Sequence, residues 1–594
     1  MSYLSGLKPG PPHSFRGCLA RPATLSIENQ EVYNDVVTDP SAQELRHHHP
    51  KDWDTVLVYN PSEVQMGADR QLHVLTDSTA ASIPLTGRFP LLEKAILLSP
   101  RDNVAVVRQP LGRGSELVAP DGAVITLQDT ITTGHKLALR PIAQGERVYK
   151  YSQIIGNAGR PIQPGEWVHT HNLELAHELG SHEFALDHPR PPALSEDLPR
   201  TFLGYRRPDG KVGTRSHIAI VAISNCASHV CEGIAEEFRR VQEEGFDGIF
   251  ALPHKEGCGH HAGPDVDQLE RTLKGIIIHP NVAAVMVVGL GCEVNSLSRY
   301  VGPDLETRYE KPAAALEIQT AGGTLKSINE GVKKVHELVA VAKTRRRTPE
   351  SVEHLLVGLN CGGSDAFSGI SANPALGCAS DLLVAAGGAV VLAETPEIYG
   401  AEQVLTRRAV DIETGKKLIH IIERYQEYAG RFGATMNSNP APGNLRGGIT
   451  NIVEKSLGAV MKGGSTMLAG VVDYAERIVA KGLVVMDTPG YDPVSITGLA
   501  AGGCNVIAFT TGRGSAIGFP IVPVLKIATN SRTFHTMNDN MDVNAGEIVD
   551  GSCNIEEKGI EIYKHIIRVA SGERSKSELL GHKEFAPWRI GPVM

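Results

Sequence analysis

From Phe202 onward, short apolar runs alternate with amphipathic stretches. "HIAIVAIS" precedes "HVCEGIAEEFRRVQEE", and "GIFALPH" precedes "VDQLERTLKGIII". "VAAVMVVGLG" and "HLLVGLNCGG" each lead into loops and helical patterns, and "GGAVVLAE" precedes "EQVLTRRAVDIETGKKLIHIIERYQEYA". Near-continuous apolar runs of strand length, each followed by a helical period, predict buried parallel strands with covering helices. A second series, "GLVVMDTPG", "NVIAFTTGRG" and "VPVLKIATN", predicts a further α/β half. Ahead of both, from Asp102, the text is different. "NVAVVRQPL", "AVITLQDTI" and "HKLALRPIAQGERVYKYSQIIGNAGRPIQPGEWVHTHNL" give β-rich runs at intervals of about 8–12 residues, broken by Gly and Pro, which predicts a small all-β module. The expected class is therefore α/β, with a small N-terminal all-β module followed by α/β domains with largely parallel sheets. The expected divisions are a partly disordered leader over 1–100, the module over 101–178, a Pro-rich linker over 179–200, and α/β domains over 201–430 and 431–594.

Composition narrows the functions this scaffold can serve. Aromatics at 5% leave little for stacking nucleic-acid bases, and a net charge of −9 gives no basic field, so nucleic acid is not an expected partner. No apolar run reaches the roughly 18 residues of a membrane span. The nine cysteines are widely spaced and include no C-x-x-C, which predicts reduced thiols and a cytoplasmic protein.

Candidate chemistry lies where parallel sheets place it, beyond the carboxyl ends of strands. Those ends read "SNC", "PHKEGCG", "GLGCE", "NCGGSD", "ETPE", "MDTPGYD" and "TTGRGS". Cys226, Cys258, Cys292 and Cys361 each follow a strand, beside Asn225, His254, Glu293 and Asn360. A lone Cys is usually a small core residue, but four at equivalent positions could converge on a metal. "GEWVHTHNLELAHELGSHEFALDHPRP" adds five histidines. His169 and His171, two apart, would share one face of a strand as chelators must, whereas His177, His182 and His188 fit a polar linker. Arg215, Lys455 and Arg513 could pair with an acidic substrate, against the commoner reading of solvated loop cations. Dinucleotide, P-loop and nucleophile-elbow signatures each miss a required residue, in "GLGCEV", "GYRRPDGKV" and "GGSDA".

"FLGYRRPDGKVGTRSHIAIVAISNC", "GLNCGGSDAFSGISANPALG", "ETPEIYGAE", "NPAPGNLRGGITNIVEKSLGAVMKGG", "MDTPGYDPVSITGLAAGG", "FTTGRGSAIGFPIVPVLKIATN" and "DNMDVNAG" resemble the altronate/galactarate dehydratase family of sugar-acid hydro-lyases. The resemblance runs from about Asp102 to the C-terminus, and the β module, with "GHKLALRPIAQGE" and "GEWVHTHN", is similar to that family's SAF domain. One departure is Asn540 after Asp539, where the family usually has two adjacent acids before Met. The resemblance implies loss of water from a polyhydroxy acid to give a 2-keto-3-deoxy acid, dependence on Fe²⁺ (or Mn²⁺), a small-molecule sugar acid as partner and a homo-oligomer. On this reading His169, His171 and Cys361 are the metal candidates, with Cys258 and Cys292 behind them. The general base is expected at His135 or Lys136 of "GHK", then at His254. Asn172, Arg215, Asn225, Asn360, Ser364, Asp365, Lys455, Asp492 and Arg513 are expected to bind substrate. Two other readings are a lyase acting on a sulfonated hydroxy acid and a non-catalytic acid-binding protein that keeps the fold.

Overall fold

The computed structural model describes residues 84–175, 182–239, 245–302 and 309–594. Most of the expected leader, and His177, lie outside them.

The β module starts earlier than the sequence pattern suggests. Arg88–Pro90 pairs in parallel with Glu116–Val118, and Ala95–Ile96 pairs antiparallel with Val106 and Val107. Residues 84–100 are thus part of the module rather than of a leader. Pro84, Pro90 and Pro100 interrupt the alternation that would have marked them. Short strands and tight turns enclose Leu111, Leu117, Leu127, Ile131 and Leu137, all essentially without solvent exposure.

The middle domain is a four-stranded parallel sheet: β1 (His217–Ala222), β2 (Gly248–Leu252), β3 (Val282–Gly289) and β4 (Ala313–Glu317), in the order β2-β1-β3-β4. Every residue of β1 and β3 is buried, as apolar strands covered on both faces must be. Helices α1 (Asn225–Glu237), α2 (Pro264–Ile277) and α3 (Thr324–Ala342) supply the cover.

A seven-stranded parallel sheet follows: β5 (Leu356–Cys361), β6 (Ala389–Leu392), β7 (Leu468–Val472), β8 (Gly482–Met486), β9 (Val506–Thr511), β10 (Val524–Ala528) and β11 (Val543–Asn544), in the order β7-β8-β6-β5-β9-β10-β11. The expected boundary at 430 therefore fails. Strand β5 lies mid-sheet between β6 and β9, so chain on both sides of residue 430 forms one sheet. Helices α4 (Ala372–Ala385), α5 (Ile412–Gly430), α6 (Ile452–Ala459), α7 (Asp492–Gly502) and α8 (Ile555–Ala570) surround it. Helix α2 of the middle domain packs against α7, so closely that a Cβ on Gly275 would lie 2.2 Å from the Ala501 carbonyl oxygen.

The module is fastened to the C-terminal domain by buried charge. Lys136 Nζ lies 2.9 Å and Lys150 Nζ 2.8 Å from the carboxylate of Glu454, with all three side chains essentially inaccessible. The described part of the linker is held as well. Backbone N–H groups of Ala185 and Leu186 donate to Thr406 and Arg407, and Arg407 pairs with Glu183 and Asp187.

Candidate active site

Strand β5 ends at Asn360 and Cys361, followed by Gly362 and Gly363. Strand β6 ends at Leu392, and two residues on Glu394 takes a left-handed backbone (φ 70°, ψ 69°) to open the turn carrying Glu397. That conformation is costly for a non-glycine residue and marks a position held in place by its surroundings. The N–H of Glu394 donates to Thr488 Oγ1 (2.7 Å), and its carboxylate accepts from the Cys361 N–H (3.0 Å). Helix α6 supplies Lys455, the turn after it supplies Lys462, and Asp492 is the first residue of α7.

These side chains meet. The Cys361 thiol donates to Glu397 Oε2 at 3.1 Å and accepts from Lys462 Nζ at 2.7 Å. Lys462 Nζ also lies 3.8 Å from Glu394. Lys455 Nζ donates to Asn439 Oδ1 (2.9 Å) and lies 2.6 Å from Glu397 Oε1. A Cβ on Gly362 would fall 2.2 Å from Asp492 Oδ2, so only glycine admits that carboxylate here.

The electrostatics divide the acids. Burial, and then Glu397, push the Glu394 carboxyl and the Cys361 thiol well above their ordinary ranges. For Glu397 burial acts in the same direction, but Lys455 and Lys462 outweigh it and hold the group below the usual carboxylate range. Burial and the Glu397 charge raise Asp492 to about 7. One ionised and one protonated carboxyl side by side at neutral pH are the setting for paired base and acid chemistry.

The module contributes an aromatic stack. Trp167 lies against His135, His169 and His171, with ring centroids 5.1–5.3 Å apart. Trp167 Nε1 donates to His135 Nδ1 (3.0 Å), leaving His135 Nε2 to the Arg446 carbonyl (3.3 Å). Burial, then the neighbouring His169, lower His135 to about 4. His169 holds Thr170 Oγ1 and the Leu445 carbonyl, each at 3.0 Å. Together they position the loop that runs from Asn439 past Arg446.

Several expectations are corrected by this arrangement. Neither His135 nor Lys136 is a free base, because both ring nitrogens of His135 are engaged and Lys136 Nζ is spent on Glu454 and the Gly448 carbonyl. His254 is a buried structural group, its ring held by the Ala222 carbonyl and the Glu256 N–H. His169, His171 and Cys361 do not form one donor set. Among the described residues the His/Cys/Asp/Glu group whose ligand atoms all lie within 4.8 Å is Cys361, Glu394 and Glu397. His169 has no nitrogen to spare, and His171 is exposed.

Arg215 is also structural, fully buried and paired with Glu578 while donating to the carbonyls of Thr214, Val569 and Glu573. Asp365 accepts from Ser368, Thr529 and Asn530, and Asn172 braces the turn after Trp167. Asn360 accepts from Ser495, while its Nδ2 and the hydroxyl of Ser364 are buried without a hydrogen-bond partner. Arg513 is exposed beside Gly363, and Asn225 is exposed at the start of α1. Lys455 and Asp492 alone of the expected substrate-binding residues enter the charged cluster. Glu394, Glu397 and Lys462 were missed, although "ETPE" stands at a strand end like the other motifs.

Cys258 and Cys292 lie elsewhere, at the carboxyl ends of the middle sheet. There the Cys226 thiol is hydrogen-bonded to Cys258 and within electrostatic reach of Cys292 and Glu293.

Comparison with known proteins covers nearly all of this structure. Residues 93–176 match the altronate/galactarate dehydratase SAF domain, and residues 204–343 match the second domain of D-galactarate dehydratase/altronate hydrolase. Residues 352–593 match the C-terminal domain of D-galactarate/altronate dehydratase. Relatives include an altronate dehydratase of Bacillus subtilis, 35% identical over 85% of this chain and 100% of the relative. Another is a galactarate dehydratase (L-threo-forming) of Escherichia coli, 35% identical over 83% of this chain and 96% of its own. A (2R)-sulfolactate sulfo-lyase subunit beta of Chromohalobacter salexigens is 34% identical over 66% of this chain and 98% of the relative.

Proposed function

The chain belongs to the galactarate/altronate dehydratase family, and on that premise we propose that it is a hydro-lyase dehydrating a sugar acid to a 2-keto-3-deoxy acid. The observation that carries the chemistry is the split between Glu397, kept ionised by Lys455 and Lys462, and Asp492, raised to about 7 by burial and the Glu397 charge, so that a protonated fraction persists at neutral pH. Glu397 takes the proton from C2, and the electron pair moves toward the carboxylate. Asp492 donates its proton to the departing 3-hydroxyl, which leaves as water. The resulting enol takes a proton at C3 and becomes the 2-keto acid. Lys455 and Lys462 offset the negative charge that builds in the enediolate, the main barrier to removing so weakly acidic a proton.

A divalent metal, Fe²⁺ or Mn²⁺, remains part of this reading, but the Cys361–Glu394–Glu397 set does not fit a divalent ion. Its thiol and one carboxylate already carry the ammonium groups of Lys462 and Lys455 at 2.7 and 2.6 Å, so a metal there would face two cations at contact distance. No step above passes through it. A cytoplasmic setting suits the eight free cysteines among the described residues, and no helix there is long and apolar enough to cross a membrane. Assembly as a homo-oligomer is also part of the proposal, to be read from the mass of the native protein.

The test is a panel of aldonic and aldaric acids together with sulfolactate, assayed anaerobically for 2-keto product and for sulfite. Keto product from at least one polyhydroxy acid, without sulfite, is expected. Sulfite release would shift the reading to a sulfo-lyase. The sulfolactate sulfo-lyase relatives are separate alpha and beta subunits, whereas this chain covers whole dehydratases as one polypeptide. No turnover of any acid would leave the fold without this activity.

A further inference from the structure

The middle domain carries a second set of strand-end groups that the dehydration chemistry above does not use. Cys226, Cys258 and Cys292 follow β1, β2 and β3, three strands adjacent in one parallel sheet. All three thiols are exposed, whereas Cys231, Cys361 and Cys504 are buried. Cysteine is among the residues most often buried, so three exposed at one end of one sheet are not packing residues.

The loops that bear them are stitched together. The Asn225 N–H donates to the Glu256 carbonyl (2.8 Å), and the Asn295 N–H donates to Gly257 (3.1 Å). Asn295 Nδ2 reaches back to the Ile223 carbonyl (2.8 Å). Gly257 has φ +94°, and a Cβ there would lie 2.2 Å from that same carbonyl oxygen. The Glu293 carboxylate accepts from the N–H groups of Leu290, Gly291 and Cys292 at 2.9, 2.7 and 3.0 Å, and so fixes the turn that presents Cys292. Gln319 Nε2 contacts Cys292 Sγ at 3.5 Å. Glu256, His260 and Asp265, the nearby alternatives as ligands, are tied to one another and to Arg589 and the C-terminal backbone. The thiols are left as the available donors.

Their separation decides between two kinds of centre. One tetrahedral zinc, with Zn–S of about 2.3 Å, would draw three sulfurs to about 3.8 Å of each other. Cys226 and Cys258 are in contact, but the three do not form a set within 4.8 Å. A wider polynuclear centre suits them better. We propose that Cys226, Cys258 and Cys292 hold a [4Fe–4S] cluster, three irons bound by thiolates and the fourth open to an oxygen ligand such as a carboxylate or hydroxyl. The cluster stands or falls without the dehydratase reading, since its presence is measured with no substrate.

The chain is purified anaerobically from iron-replete cells, and iron, acid-labile sulfide and visible absorbance are measured per chain. Wild type should carry about four iron and four sulfide with a broad visible charge-transfer band. Cys226→Ser, Cys258→Ser and Cys292→Ser, checked for an unchanged melting curve, should each lose at least fivefold of the sulfide. Cys553→Ser, on a loop of the C-terminal domain, should lose none. A single zinc without sulfide, or metal-free wild type, would overturn the proposal. So would full sulfide in the triple serine variant. A clustered chain that dehydrates no sugar acid would sink the functional reading and leave the cluster intact.

Discussion

Both parallel sheets carry cysteine at or just beyond strand carboxyl ends, yet the two ends are built on opposite principles. In the seven-stranded sheet Cys361 is sealed under Glu394, Glu397, Lys455 and Lys462, and charge neutralisation is local and nearly complete. In the four-stranded sheet Cys226, Cys258 and Cys292 are exposed, on loops held by backbone hydrogen bonds and one carboxylate. Buried counter-charges make a poor metal cradle and a good proton-transfer site, because they fix which acid is ionised. Exposed thiols on rigid loops are the reverse. A strand-end cysteine is therefore informative only together with what neutralises it.

The sharpest way to break this contrast is Glu397→Gln. The amide keeps the shape but cannot take a proton, so kcat should fall by about 10²–10⁴-fold, the usual worth of a general base. Iron and sulfide content should not change. Loss of the cluster with the rate would show the two strand ends to be one site.

Asp492→Asn should act next most strongly, and its signature is a pH profile. In the wild-type chain kcat/KM should rise at low pH as Glu397, held below the ordinary carboxylate range, loses its proton. It should fall through about pH 7 as Asp492 loses the proton it must donate. The amide variant should lose about 10²-fold or more in rate, and with it the descending limb. A descending limb that persists unchanged in Asp492→Asn would assign the acid to another group.

Alkylation separates the two sets of thiols by smaller but clean differences. Iodoacetamide applied to the chelator-stripped native chain should label Cys226, Cys258 and Cys292 at least tenfold faster than Cys361, read by peptide mass spectrometry. Cys361 is buried, and both burial and Glu397 keep it as the thiol, whereas the thiolate is the reactive form. Fast labelling of Cys361 would mean that its cluster opens to solvent.

Much of this was legible in the chain. Alternating apolar runs and helical periods gave the two parallel sheets, and the rule of strand carboxyl ends pointed to the loops that carry Cys361, Glu394, Glu397 and Asp492, though not to Lys455 and Lys462 on and just after α6. What escaped was pairing across distance. Lys136 meets Glu454 across 318 residues, and nothing local marks either as half of a buried ion pair. The boundary at 430 failed because α5 resembles a domain's closing helix, yet β7 and β8 return to the edge of a sheet already begun by β5 and β6. "HTH" misled for a related reason. Two histidines on one strand face can chelate, but whether their nitrogens are free depends on the Leu445 carbonyl, 276 residues away.

That last case gives the smallest expected effect, and it tests where the comparison of the two sheets ends and the module's role begins. His171 is exposed and rests on Trp167, and among the described residues it belongs to no set of metal-ligating groups. His171→Ala should lower kcat/KM by less than about tenfold, since it removes neither a charge partner nor a proton carrier. His169→Ala breaks the bond to Leu445 and loosens the loop carrying Asn439, which accepts from Lys455. It should therefore cost more, mainly through KM, while Glu397 and Asp492 keep their pH profile. If His171→Ala instead removes activity by 10³-fold and iron with it, the module supplies a metal ligand after all. The divide would then lie between module and sheets rather than between the two sheet ends.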